Sequence, residues 1–201
     1  MGYLSLFRMP TPMKITGRSS SITNAFINSI IPVVAPSEEE VRQALEILGM
    51  TPETFQCAYC GDVVSEWDHL RPLVKYKKAT GYISEIQNLV PSCGKCNQSK
   101  GNKEWKAWMR SNAKLSPKTR GVKDIVERIK RLESYEKWKA PTQMDFASIV
   151  GHEVWERHQA NHEKVQSLMR ESQELSAQIN AKIASEYKRA NPAIDLAPTG
   201  R

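Results

Sequence analysis

The chain has four cysteines, and they form two C-x2-C pairs, Cys57-Ala58-Tyr59-Cys60 and Cys93-Gly94-Lys95-Cys96. Two such knuckles supply four thiolates, the full complement of one tetrahedral zinc. Residues 61–92 lie between them, enough chain for a hairpin that the ion can hold against the start of a helix. Structural zinc contributes on the order of 10 kcal/mol to folding in small peptides, a frame that a small core cannot supply alone. Four thiolates close the coordination sphere, so this zinc does not activate water. Two disulfides across the pairs are the alternative, disfavoured in a reducing compartment.

The residues enclosed by the knuckles are not those of a purely structural finger. Asp68-His69 lies between them and Asn97 directly follows the last cysteine. Asp68 offers a carboxylate oxygen and Asn97 an amide oxygen, hard donors suited to Mg²⁺ or Mn²⁺. Any catalytic metal is thus a second ion with its own ligands. His69 is the natural general base, because neutral imidazole takes a proton from water near neutral pH. Adjacent strand residues point to opposite faces, so Asp68 and His69 meet at one phosphate only if the strand end distorts or one side chain reaches around.

Local pattern places these residues on elements. Ser37 followed by Glu38-Glu39-Glu40 is a capping-box helix start, with Val41, Leu45, Ile47 and Leu48 as its buried face and Gly49 as its stop. Residues 21–31 read as a short helix ended by Pro32. Residues 63–69 have the β-branched and aromatic content of a strand. Residues 71–82 are basic and read as a loop, 86–90 as a second strand, and Pro91 as a turn. From Gly94 the chain turns helical, with Trp105, Trp108 and Met109 spaced for one face. Residues 122–138 and 146–190 read as further helices. In the last of these Val165, Leu168, Leu175 and Ile179 are at heptad spacing, interrupted by Ser172 and Lys182, which suits either packing on the same domain or a dimer seam. Residues 1–20 read as a basic arm and 191–201 as a frayed end. His158 and His162 share a helix face without a third ligand, and His152-Glu153 lacks the second histidine of H-E-x-x-H, since position 156 is Glu.

Asp68-His69-Leu70-Arg71-Pro72, Asn88-Leu89-Val90-Pro91 and Cys93-Gly94-Lys95-Cys96-Asn97-Gln98-Ser99-Lys100, in that order, resemble the HNH endonucleases with a ββα-metal core. More narrowly, they resemble the zinc-bearing branch that includes small type II restriction endonucleases. The resemblance covers residues 57–105. It implies an α+β fold, a zinc-stabilised hairpin plus helix with mainly helical N- and C-terminal extensions. It implies that His69 activates the attacking water, Asp68 and Asn97 hold the catalytic metal, and Asn88 fixes the loop and orients the histidine. Products would carry 5′-phosphate and 3′-hydroxyl ends. Lys100 resembles a family lysine suited to phosphate contact. Asn97 departs from the literal final histidine, which leaves the preference between Mg²⁺ and Mn²⁺ open.

The net charge of +7 favours a polyanionic partner. Residues 100–140 hold 13 Lys or Arg against five Asp or Glu, a local +8 and the expected grip on the DNA backbone. Arg71, Lys100 and Lys103 are the expected DNA contacts nearest the site. No run of ~18 apolar residues is present and no signal-peptide pattern is visible, so the expected location is the cytoplasm without a membrane span. The expected organisation is an N-terminal arm with helices over 1–50, the nuclease core over 51–112, and a basic, long helical region over 113–201. The expected function is site-specific cleavage of double-stranded DNA by a homodimer, because one site per chain cuts two strands most simply under two-fold symmetry. The alternatives are a nicking or low-specificity phage or mobile-element nuclease, and a zinc module that binds DNA without cutting.

Overall fold

The computed structural model describes residues 3–8 and 10–193. The frayed end expected beyond 191 lies largely outside them. Two compact units result, one from Met1–Ala25 with His152–Arg201 and one from Phe26–Gly151. Among the described residues, no helix is long and apolar enough to cross a membrane.

The second unit carries the knuckles. Helix α1 (Ser19–Asn28) leads into it, and α2 (Glu38–Ile47) follows. The expected capping box is formed: the Ser37 hydroxyl accepts from the Glu40 amide, and the Glu40 carboxylate accepts from the Ser37 amide. Helix α2 stops at Gly49, whose φ of +69° suits a residue without a side chain. Strand β1 (Glu66–His69) then opens the core hairpin.

Residues 71–82 are not a plain loop. Strands β2 (Val74–Lys75) and β3 (Lys78–Ala79) pair across Tyr76 and Lys77, both at positive φ. This is a two-residue turn built without the Asn-Gly or Asp-Gly that normally announces one. A 3-10 turn at Ile86–Asn88 precedes strand β4 (Leu89–Ser92), which pairs antiparallel with β1, His69 opposite Leu89 and Asp68 opposite Val90. Pro91 is therefore inside a strand. Its missing N–H costs nothing there because the sheet has only two strands, and its carbonyl accepts from Ala58 N at 2.8 Å.

Helix α3 (Gly94–Lys100) carries the second knuckle and ends at Gly101, φ +51°. Trp105, Trp108 and Met109 belong to a separate helix, α4 (Trp105–Met109), and all three are buried. Helix α5 (Ile125–Trp138) completes the core with Ile129, Leu132 and Tyr135. From the N-terminal side, Ala44 and Leu48 of α2 enter the same cluster. Tyr59, between the first two cysteines, packs edge-on against Trp108 with centroids 5.2 Å apart. The core of the knuckle region is thus made largely of side chains outside the knuckles. A smaller cluster of Ile27, Ile31, Leu73 and Ile83 sits under the β2–β3 hairpin.

The final helical stretch is broken at Gly151 (φ +85°) into α6 (Phe146–Val150) and α7 (His152–Ala190). In the first unit His162 is buried on α7, its Nε2 3.1 Å from the Thr23 hydroxyl, and Ile15 N donates to Gln173 at 2.7 Å.

Candidate active site

The four cysteine sulfurs converge, all within 4.8 Å of one another. Cys60 and Cys93 Sγ are 3.7 Å apart. A tetrahedral ion with Zn–S bonds of about 2.3 Å needs sulfurs about 3.8 Å apart, close to the Cys60–Cys93 separation, so the set suits zinc. It is the one group of three or more His, Cys, Asp or Glu donors of metal-binding geometry among the described residues. One cation caps the cluster. The Arg120 Nη1 donates to Cys60 Sγ at 3.3 Å and to Cys96 Sγ at 3.4 Å, and its Nη2 donates to Asp62 at 3.1 Å. A zinc with four thiolates is a dianion, and Arg120 offsets part of that charge.

The side-chain partners of strand β1 sort the site. Glu66 and Asp68 face α3. Asn97 Nδ2 donates to Glu66 at 2.6 Å, and one turn on, the Lys100 ammonium lies 3.0 Å from Asp68 Oδ2. Lys100 is 0% exposed and also donates to the carbonyls of His69 at 2.8 Å and Gly101 at 3.3 Å. It is therefore an interior residue, with no surface to offer a phosphate in this arrangement. The Tyr59 hydroxyl donates to Asp68 Oδ2 at 2.6 Å. Burial raises the Asp68 carboxyl above its ordinary range, and the Lys100 charge and the Tyr59 hydrogen bond offset part of that. Burial likewise lowers the Lys100 ammonium, with Asp68 opposing. Burial and the Asp68 charge keep the Tyr59 phenol protonated, as a donor must be.

The His69 ring has a different partner, its Nε2 lying 2.8 Å from the Ser84 hydroxyl. Burial, then the Lys100 charge, depress its pKa to about 4, so the ring is neutral at pH 7. The residue is half-buried. Asn88 is fully buried and bonds backbone rather than the ring. Its Oδ1 accepts from Arg71 N at 2.8 Å, its Nδ2 donates to Arg71 O at 3.0 Å, and its own carbonyl accepts from Leu70 N at 2.8 Å. It braces the two residues that follow His69.

Of the expected DNA contacts, Arg71 holds its guanidinium 3.2 Å from Glu136 and 5.9 Å over the Tyr82 ring, and it lines a cavity of about 220 Å³ with Lys75 and Asn102. Lys103 is exposed and donates to Ser99 O at 2.8 Å. Within the basic 100–140 stretch, Lys100, Arg120 and Arg128 serve the interior; Arg128 donates to Cys57 O at 3.1 Å. Lys103, Arg110, Lys114, Lys118, Lys123 and Lys130 remain exposed.

Sequence reasoning missed Tyr59, Glu66, Ser84 and Arg120. Tyr59 carried a faint signal, a large aromatic inside a tight knuckle. Ser84 and Arg120 carried none, since each reaches its partner through tertiary structure.

The HNH endonuclease family matches residues 57–103. The CRISPR-associated endonuclease Cas9 of Corynebacterium diphtheriae is 38% identical over 80 residues, a stretch that is 38% of this chain and 7% of that protein. The chain thus spans a small fraction of the relative's length. No solved structure matches the chain. The match, the converged thiolates, and the β1–β4 hairpin set against α3 agree in making residues 57–103 a segment that matches the HNH endonuclease family.

Proposed function

We propose that the chain is a metal-dependent endonuclease that hydrolyses phosphodiester bonds of double-stranded DNA, with His69 as general base. The observation that carries this reading is the state of His69. Its imidazole is neutral at pH 7, partly exposed, and held through one nitrogen, which leaves the other for a water proton. The attacking water gives its proton to His69 as it approaches phosphorus in line with the leaving 3′ oxygen. Asp68 and Asn97, with Glu66 beside them, are the oxygen donors that would hold Mg²⁺ or Mn²⁺ between β1 and α3. Such a cation, when bound, stabilises charge developing on the phosphate and the leaving oxygen. To hold it, Asp68 would give up part of its contact with Lys100, and Asn97 would turn its amide from Glu66.

The exposed cations from Lys103 to Lys130, with Lys75 and Arg71 near the site, grip the backbone and position the duplex without reading its sequence. On this reading the enzyme is a restriction-type nuclease acting as a homodimer, each chain cutting one strand. Nicking by a single chain is the second reading, favoured by one candidate base per chain. Incubating the purified protein with supercoiled and linear DNA in Mg²⁺, in Mn²⁺ and in chelator, then sequencing the ends, tests the proposal. Discrete fragments with 5′-phosphates in Mg²⁺ or Mn²⁺ alone support the restriction reading, and open circles alone support nicking. Retarded but intact DNA under every condition overturns the proposal in favour of a non-cleaving module.

A further inference from the structure

We propose that Ser84 is the positioning residue for His69, and that the segment around Pro32–Val34 sets its hydroxyl; this rests on His69 being the general base. The Ser84 side chain is the hydrogen-bonding partner of the His69 ring among the described residues, at 2.8 Å from Nε2. Asn88, to which the family resemblance gives the orienting role, spends both ends of its amide on the Arg71 backbone. The turn after the histidine and the plane of its ring are therefore held by different residues.

Ser84 is fixed as a positioning group must be. It is 8% exposed. Its N–H donates to Pro32 O at 3.2 Å, and its carbonyl accepts from Val34 N at 2.8 Å, forming a short parallel bridge with the chain ahead of α2. On one side Ile83 is anchored in the cluster with Ile27, Ile31 and Leu73. On the other, the Glu85 carboxylate accepts from both the amide and the hydroxyl of Thr142. The direction of the Ser84 hydroxyl thus depends on residues 31–34 and 142, which lie outside the stretch matched to the family. This gives the flanking sequence a task beyond filling the core.

The contact also selects a tautomer. A ring that donates Nε2–H to the Ser84 oxygen presents Nδ1 as a bare acceptor, the form that can take a proton from water. The reverse arrangement, with the serine hydroxyl donating to Nε2, places hydrogen on Nδ1 and disables the base. The proposal therefore requires the Nε2–H form.

Two readouts on the full-length, zinc-loaded chain test it. First, Ser84→Ala and Ser84→Thr are compared with the parent on supercoiled plasmid in Mg²⁺, with zinc content and Tm measured in parallel. Ser84→Ala should lower kcat about 10- to 100-fold with KM within twofold, a share of the 10²–10⁴ that general-base catalysis supplies. Ser84→Thr should recover most of the loss. Second, two-bond ¹H–¹⁵N spectra of protein labelled in its four histidines, assigned with His69→Gln, report the His69 tautomer without any cleavage. The parent should show the Nε2–H form alone, and Ser84→Ala a mixture. An unchanged kcat in well-folded Ser84→Ala, a rise in KM alone, or an Nδ1–H ring in the parent would overturn the proposal. A parent that never cuts DNA overturns the nuclease reading instead, and the tautomer then decides whether Ser84 orients the ring.

Discussion

Replacing Lys100 with methionine tests whether this lysine belongs to the interior or to the DNA surface. Methionine keeps most of the aliphatic stem and removes the ammonium. In the structure that ammonium has no exposed surface and serves Asp68 at 3.0 Å and the carbonyls of His69 and Gly101. Removing one partner of a buried ion pair costs roughly 3–5 kcal/mol, because the other charge stays buried. Asp68 keeps its hydrogen bond from Tyr59, and its raised pKa lets it take a proton, so the lower end applies, about 3 kcal/mol. At roughly 2–4 °C per kcal/mol for a chain of this size, Tm should fall by about 6–12 °C. Urea and thermal unfolding of the zinc-loaded protein measure this. A cycle with Asp68→Asn should show a coupling of at least about 1–2 kcal/mol, as contacting residues do. A loss under about 1 kcal/mol with no coupling would refute the argument and return Lys100 to the surface, free to meet a phosphate.

Three other perturbations have defined outcomes. Arg120→Ala removes the cation on the Cys60 and Cys96 sulfurs and should speed zinc transfer to a chromophoric chelator about 10-fold or more, with Arg120→Lys intermediate; equal transfer rates would show that the cap does not hold the ion. Stripping zinc, or Cys93→Ser, should cost the second unit its cooperative unfolding transition, read by near-UV circular dichroism, because the knuckles tie β1, β4 and α3 together; a native spectrum without zinc would contradict a structural role. Tyr135→Phe leaves the carbonyls of Ile86 and Leu89 without their shared donor and should cost about 1–3 kcal/mol in urea unfolding; no loss would mean that water replaces the hydroxyl.

The frame was the most legible part of the chain. Paired cysteines at fixed spacing constrain backbone and chemistry together, and Ser37 with Glu40 announces its helix through local hydrogen bonds alone. What stayed hidden depends on distant chain. The chain from Gly94 through Trp108 reads as helical, yet Gly101 takes positive φ and separates α3 from α4, with Trp105 and Trp108 buried in the core. Pro91 reads as a turn, and only the two-stranded sheet makes it harmless. Tyr76-Lys77 gives no turn signal, because neither residue favours the positive φ that both adopt. Charge was ambiguous for a related reason. A lysine at position 100 and one at 103 look alike in sequence, but the fold buries the first, at the end of α3, and exposes the second beyond it. The Asp68-His69 pair showed which chemistry to expect. The partner that fixes the ring, Ser84, is brought to it by the bridge to Val33.

If His69 supplies the base for phosphodiester hydrolysis, its removal should stop cleavage while leaving the zinc frame intact. Cleavage of supercoiled plasmid in Mg²⁺, comparing the parent with His69→Ala, tests it most directly, each protein first shown to hold one zinc and to bind DNA equally. The parent should cleave, and the variant should lose at least about 10²-fold, the lower range of general-base catalysis. Equal cleavage by His69→Ala would contradict that role for His69.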